Sequence, residues 1–255
     1  MLRDGDCSQA TPGVHGGERR DRPRGAGGGQ FLADASHELR TPLASIRGYA
    51  ELFRIGATVD EAGAQAAMRR IEEEAKRMGV LVEDLLTLAR LDEEPELRRT
   101  QVDLAEIAGD VVADARATAP GRAIALEAPD SALVCGDSHQ LHQVLANLMR
   151  NALVHTPARA AIEVSVREDA DTVTVSVRDH GPGLPAGSHE RLFNRFWRAE
   201  GGRERGKAGA GLGLAIAREL VAAHRGTISA HDAQGGGAEF VVQLPKSPPG
   251  ATPSI

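Results

Sequence analysis

The sequence predicts an α+β chain: an antiparallel helical hairpin followed by a sandwich in which helices cover one face of a sheet. Three observations predict it. Two long series of apolar and small residues, Leu32 to Phe53 and Ala64 to Ala89, step alternately by four and three. After Arg99 the pattern changes to short runs of period two mixed with helical stretches. Within that part, the runs 161 to 167 and 172 to 178 are joined by a short polar turn, as in a β-hairpin.

Composition sets the outer bounds. The chain has 255 residues, 41% of them apolar and 26% charged, which is ordinary for a globular protein with a real core. A net charge of −6 gives no basic field for nucleic acid, and none is expected as a partner. Cys7 and Cys135 lie far apart, without the spacing of a metal site or a disulfide framework. No stretch approaches the roughly 18 to 20 apolar residues of a membrane-spanning helix, so no membrane segment is predicted and a cytoplasmic location is expected.

Taken in order, residues 1–29 are rich in Gly, Arg and Asp and have little to bury, which predicts a disordered arm. Residues 30–95 form the hairpin. Its first helix carries the seam Leu32, Ser36, Leu39, Leu43, Ile46, Ala50 and Phe53. Its second carries Ala64, Met68, Ile71, Ala75, Met78, Val82, Leu85 and Ala89, after a break around 55–60 that contains Gly56. Each helix buries one stripe, and further apolar positions such as Leu81 and Leu88 are expected to stay uncovered. A symmetric dimer forming a four-helix bundle would cover them. Residues 100–246 form the second domain, with helices over 104–117, 138–155 and 212–224 and strands over 123–127, 132–135, 161–167, 172–178, 227–230 and 238–244. The Pro- and Ser-containing residues 247–255 read as a tail.

Several positions carry chemistry. His37 lies one residue off the first seam, about 100° round the helix axis, and is expected to point outward while Leu39 and Leu43 are buried. A neutral imidazole is nucleophilic if a carboxylate accepts a hydrogen bond from one ring nitrogen and leaves the other free, and Glu38 is the nearest carboxylate. Pro42 removes a backbone donor beside it. By spacing alone, an exposed helical histidine is most often a solvated side chain. Asn147 and Asn151 share a helix face next to the buried stripe Leu141, Val144, Leu145, Leu148 and Ala152. An amide oxygen is a fair hard ligand for Mg²⁺, although paired asparagines are more often plain surface residues. Asp179-His-Gly181-Pro-Gly183 follows a strand; its glycines let backbone approach a flat ligand, and its carboxylate can accept from an exocyclic amine. Gly209-Ala-Gly211-Leu212-Gly213 opens a helix, where free N–H groups and the helix dipole favour phosphate. The polar, Gly-rich stretch 200–208 suits a mobile lid, with Lys207 able to meet a phosphate. His139 and His142, three apart, lack further metal ligands nearby and read as structural.

The segment Phe31-Leu-Ala-Asp-Ala-Ser-His37-Glu-Leu-Arg-Thr-Pro42-Leu closely resembles the phosphoacceptor box of sensor histidine kinases. Asn147-Leu-Met-Arg-Asn151-Ala-Leu-Val-His155-Thr resembles the family's asparagine box, with Val154 where many relatives carry Lys or Arg. Asp179 to Gly183 resembles its first glycine box and Arg191-Leu-Phe193-Asn-Arg195-Phe196-Trp197-Arg its phenylalanine box. Gly209 to Gly213 resembles its second glycine box, followed by His224-Arg-Gly226 with Arg225 in place of a commoner Gly. The resemblance spans residues 31 to about 245.

It implies a dimeric four-helix bundle followed by an α/β-sandwich ATP-binding domain of the histidine kinase, Hsp90 and gyrase type. It implies that His37 is phosphorylated from ATP, that Glu38 is its acid/base partner, and that the phosphoryl group passes to an aspartate of a response regulator receiver domain. Thr41 matches the position that orients water when the partner is dephosphorylated. Asn151 would hold Mg²⁺, Asn147 and His155 would approach the nucleotide, Asp179 would read the adenine amine, and Phe193 would help anchor the lid. Relatives generally carry a sensor and membrane helices ahead of the hairpin, whereas only the arm precedes Phe31 here. A split kinase, a truncated product and a start placed too late are all compatible with that. Two rivals stay open: a scaffold that keeps the fold without catalysis, and an ATPase or Ser/Thr kinase sharing the nucleotide pocket.

Overall fold

The computed structural model describes residues 27–56, 60–92, 99–199 and 209–246. These fall into two compact units that part between Arg90 and Leu91. The first is a hairpin of two long helices, α1 (Gly27–Arg54) and α2 (Glu61–Asp92). Helix α1 therefore takes in the last three residues assigned to the arm, while the rest of the arm, the residues 57–59 of the turn and the tail from 247 lie outside the described residues.

The two helices bury different positions from those the periodicity suggested. Ala35 and Pro42 of α1, and Ala67, Leu81, Asp84 and Leu88 of α2, are the buried residues. Leu39 is half-buried and Leu43 is 48% exposed, while Leu81 and Leu88, expected to be uncovered, are 4% and 0% exposed. Leu32, Leu43, Phe53, Met68 and Val82, all on the predicted seams, are instead exposed. The periodicity located the most apolar line along each helix. The buried line instead pairs the small Ala35 and Ala67 with Leu81 and Leu88, and Leu32, Leu43, Phe53, Met68 and Val82 are left facing out.

In the second unit β1 (Thr100–Asp103) and β3 (Leu133–Gly136) pair antiparallel as a sheet of their own. The strand β1 was not anticipated, and the segment expected to join a single sheet pairs with it instead. Helix α3 (Leu104–Thr118) follows directly, capped by Asp103, whose Oδ1 accepts from Ala105 N at 2.9 Å and from Ala132 N at 2.9 Å. Burial alone would raise this carboxyl. The N–H groups of Ala132, Ala105 and Glu106 and the Ser131 hydroxyl outweigh it and hold the group below its ordinary value.

The main sheet has five strands in the order β2-β4-β5-β7-β6: β2 (Ile124–Glu127), β4 (Ile162–Glu168), β5 (Thr172–Asp179), β6 (Thr227–Asp232) and β7 (Ala238–Pro245). Strand β2 runs parallel to β4, and the other neighbours are antiparallel. Alternation sets two faces. On one, the rows Val164–Val177–Phe240 and Val166–Val175–Val242 are buried beneath α3, α4 (Ser138–His155) and α5 (Gly213–Ala223). Each such side chain contributes about 1.5–3 kcal/mol when withdrawn from water. On the other, Glu163, Arg178, Glu239 and His231 stand in register across four strands, with Arg178 between the two glutamates.

Candidate nucleotide site and phosphoacceptor helix

Helix α4 is the spine of the site. Asp137 caps it, its Oδ1 accepting from Gln140 N at 3.1 Å. The predicted stripe Leu141, Val144, Leu145, Leu148 and Ala152 is buried. Asn147 is buried too, at 7% exposure, and its Oδ1 accepts a hydrogen bond from the Arg150 guanidinium at 3.0 Å. Because a guanidinium only donates, that bond fixes which branch of the amide is oxygen. Nδ2 is then a buried donor without a partner among the described residues. Asn151 lies one turn further on, half-exposed.

At the far end of α4, Arg122 does what a C-cap residue would do. Its guanidinium donates to Ala160 O at 2.9 Å, Leu153 O at 3.2 Å and Ala152 O at 3.3 Å, and also to the Thr156 hydroxyl. A cation at a helix C-terminus meets the negative end of its dipole and satisfies orphan carbonyls. Burial draws the guanidinium below its ordinary value and the Asp179 carboxylate opposes the shift. Nothing in the Gly121-Arg122 loop distinguished this arginine from the others in the sequence.

Asp179 closes β5 next to this corner. It is 4% exposed, and its Oδ1 accepts from Gly181 N at 2.9 Å and Ala238 N at 3.3 Å. Those bonds orient the carboxylate and leave Oδ2 as acceptor for a ligand amine. The approach of Ala238 depends on Gly237, whose φ is 88°: a side-chain carbon there would overlap the Asp179 carbonyl. Gly181 packs on Thr156, where a side-chain carbon would lie 2.5 Å from the Thr methyl, so the first glycine box abuts the end of α4. Past Gly183, the Asp232 carboxylate accepts from Leu184 N at 2.8 Å and ties the loop to β6. His155, the last residue of α4, keeps exposed surface, yet the surrounding corner desolvates its ring and pushes it below its ordinary value. Arg198 acts in the same direction and Asp179 against it.

The stretch between β5 and α5 is pinned at both ends. Phe193 is buried in a single 3₁₀ turn, Arg191–Phe193. Phe196 N donates to Gly211 O at 3.0 Å, with Phe196 itself at φ 60°. Gly209 and Gly211 lead to the buried Leu212, and Gly213 opens α5. A side-chain carbon on Gly213 would lie 2.8 Å from an Arg150 guanidinium nitrogen. Lys207 lies outside the described residues. At the other end of α5, His224 is buried. Its Nδ1 donates to Leu220 O at 2.8 Å, and its Nε2 accepts from Asp137 N at 3.0 Å, joining the end of α5 to the cap of α4.

In the hairpin, His37 is exposed on α1. Glu38 is half-buried, and no hydrogen bond joins it to His37 among the described residues. The Thr41 hydroxyl donates to the His37 carbonyl at 3.4 Å, and Pro42 sits buried inside the helix. His139 and His142, in the first turns of α4, line a groove with Asp103, Glu106 and Asp110, apart from the site along the rest of that helix.

A family model described as the His Kinase A (phospho-acceptor) domain matches residues 29–94. A second, the histidine kinase-, DNA gyrase B- and HSP90-like ATPase, matches residues 136–248. The chain holds the core of a two-component sensor histidine kinase. This kinase core is 45% identical over 218 residues to the probable sensor histidine kinase TcrY of Mycobacterium tuberculosis, covering 85% of this chain and 45% of that protein. It thus spans less than half the length of that curated relative. Among solved structures, the kinase core is similar to the Acinetobacter baumannii histidine kinase AdeS, with a TM-score of 0.64 and 25% identity, over 83% of this chain and 98% of that one. It is also similar to full-length ShkA in complex with AMPPNP, with a TM-score of 0.63 and 27% identity, over 88% of this chain and 47% of that one. Among the described residues no helix is long and apolar enough to cross a membrane.

Proposed function

We propose that this kinase core binds ATP in the second unit, transfers the γ-phosphoryl group to His37, and passes it on to an aspartate of a response regulator receiver domain. The observation that carries the reading is the two-ended site along α4. Near Thr156, an oriented carboxylate, Asp179, offers an acceptor for the adenine amine. Near Asn147, a buried donor and the N-terminus of α5 await an anion. About nine residues of helix, some 14 Å, separate the two ends, which suits an elongated ligand.

In the proposed reaction one ring nitrogen of His37 attacks the γ-phosphorus as the bond to the bridging oxygen of ADP breaks. Glu38 takes up the ring proton, and ADP leaves. The half-exposed amide of Asn151 fits a Mg²⁺ ion that draws its remaining ligands from phosphate and water, and the ion would neutralise charge on the leaving diphosphate. His155 flanks Asp179, and Phe193 with Gly209, Gly211 and Leu212 frames the approach to α5. The exposed apolar line of the hairpin supports a homodimer, and ATP as substrate supports a cytoplasmic setting.

The test is incubation with γ-labelled ATP and Mg²⁺. Label is expected on the chain, stable in alkali and lost in acid, and absent from His37→Gln. Label that persists in His37→Gln would sink the reading in favour of another kinase chemistry.

A further inference from the structure

Arg122 and Asp179 are both withdrawn from water in the second unit, at 9% and 4% exposure, yet the proposed reaction uses only the carboxylate. Burying a guanidinium is costly, and a glycine after the helix would close α4 without that cost. What the Arg122 bonds add to a helix end is control of the side chain next to it.

Thr156 leaves α4 in an extended conformation, with φ −121° and ψ 154°. Its hydroxyl donates to Ala152 O at 2.6 Å and accepts from the Arg122 guanidinium, so both roles of the oxygen are filled inside the corner. With the oxygen held there, the methyl lies against Gly181, where a side-chain carbon would come within 2.5 Å of it. Gly181 N is in turn a donor to Asp179 Oδ1 at 2.9 Å. A second route runs through the chain between α4 and β4. Arg122 donates to Ala160 O at 2.9 Å, and the next carbonyl, Ala161 O, accepts from His180 N at 3.1 Å. The two residues that follow Asp179 are thus both seated on the segment that Arg122 holds. The Asp179 carboxylate also lies near enough to act on the guanidinium, and the opposite charges offset part of each other's burial.

We propose that Arg122 is a positioning residue for base recognition: it locks Thr156 against Gly181 and thereby aims the Asp179 carboxylate at the exocyclic amine of the purine. The proposal rests on the ATP reading above and deepens it, because it makes the preference for an amino over an oxo purine depend on a residue set behind the site.

The experiment is calorimetric titration of the whole chain with ADP and with inosine diphosphate, which carries an oxygen in place of the adenine amine. It compares the parent, Arg122→Gln, Arg122→Lys, Thr156→Val and the double variant of Arg122→Gln with Thr156→Val, with the melting temperature of each recorded. The parent is expected to prefer ADP. Arg122→Gln is expected to lower that preference about five-fold, chiefly by weakening ADP, and Arg122→Lys, which keeps the charge without the planar fork, to fall between. Thr156→Val is expected to shift the preference the same way, and the double variant to lose little more than Arg122→Gln alone. A lower melting temperature with an unchanged preference marks a helix cap only and overturns the proposal, as does full additivity in the double variant. Should Arg122→Gln not fold, Thr156→Val decides: an unchanged preference there overturns the proposal. A parent that binds the two nucleotides alike, or neither of them, overturns the adenine reading itself, a result distinct from the others.

Discussion

His224 is neutral in the fold because both ring nitrogens are occupied in opposite senses. Nδ1 gives its proton to Leu220 O, and Nε2 must stay unprotonated to accept from Asp137 N. Burial pushes its pKa below the ordinary 6.5. The Leu220 bond and the Asp137 carboxylate work against that shift, and Arg99 works with it. With the folded value depressed, the unfolded chain binds the proton first as the pH falls. The stability contributed by the neutral ring is therefore complete above about pH 6.5 and is lost as the pH drops from there through the folded value. The melting temperature of the parent is expected to decline over that window more steeply than that of His224→Gln. Parallel declines in the two proteins would show that His224 is not the titrating group. The imidazole's role was invisible in the sequence, where His224 was only part of a motif, because Asp137 at the cap of α4 lies 87 residues away along the chain. Arg122 and Asp232 were missed for the same reason: their partners lie 30 to 48 residues away along the chain.

At the level of elements, α5 ends in a C-cap arrangement that makes the departure at Arg225 meaningful. Gly226 N donates to Val221 O and Arg225 N to Ala222 O, both at 2.9 Å, and Arg225 sits between them at φ 60°. This is the position where helices usually place glycine. A left-handed residue with a Cβ costs about 1–2 kcal/mol. Arg225→Gly is expected to raise the melting temperature by about 2–4 °C, and an unchanged or lower value would show that the Arg side chain compensates locally. The elements themselves were largely legible. Helix α4 runs over the predicted 138–155 because an Asp cap and a strong apolar period mark it, and the six predicted strands appear within a residue or two of their expected limits. Strand β1 was hidden because four residues, Thr-Gln-Val-Asp, are too few to display a period beside a charged stretch. The hairpin's buried line was misjudged because periodicity ranks positions by hydrophobicity and does not say which of two stripes meets the neighbouring helix.

For the molecule as a whole, the consequence is an association surface. Leu32, Leu43 and Phe53 on α1 and Met68 and Val82 on α2 are between 42% and 67% exposed, more apolar side chain than a free helical hairpin keeps in water without a partner. A two-fold symmetric pairing would place the same line on both copies. Sedimentation is expected to find a dimer, and Leu43→Glu combined with Val82→Glu is expected to leave a monomer that still binds ATP. A parent that stays monomeric at high concentration would remove the dimer. Helix α4 has a different kind of reach. In the proposed site its Asn147 end and the Thr156 corner both border the nucleotide, with Asp137 anchoring the start and Arg122 the finish. A single residue inserted between them would turn everything downstream by about 100° and advance it about 1.5 Å. The helix thus acts as a ruler: its exposed side chains can change, but a change in its length would set its two ends out of phase.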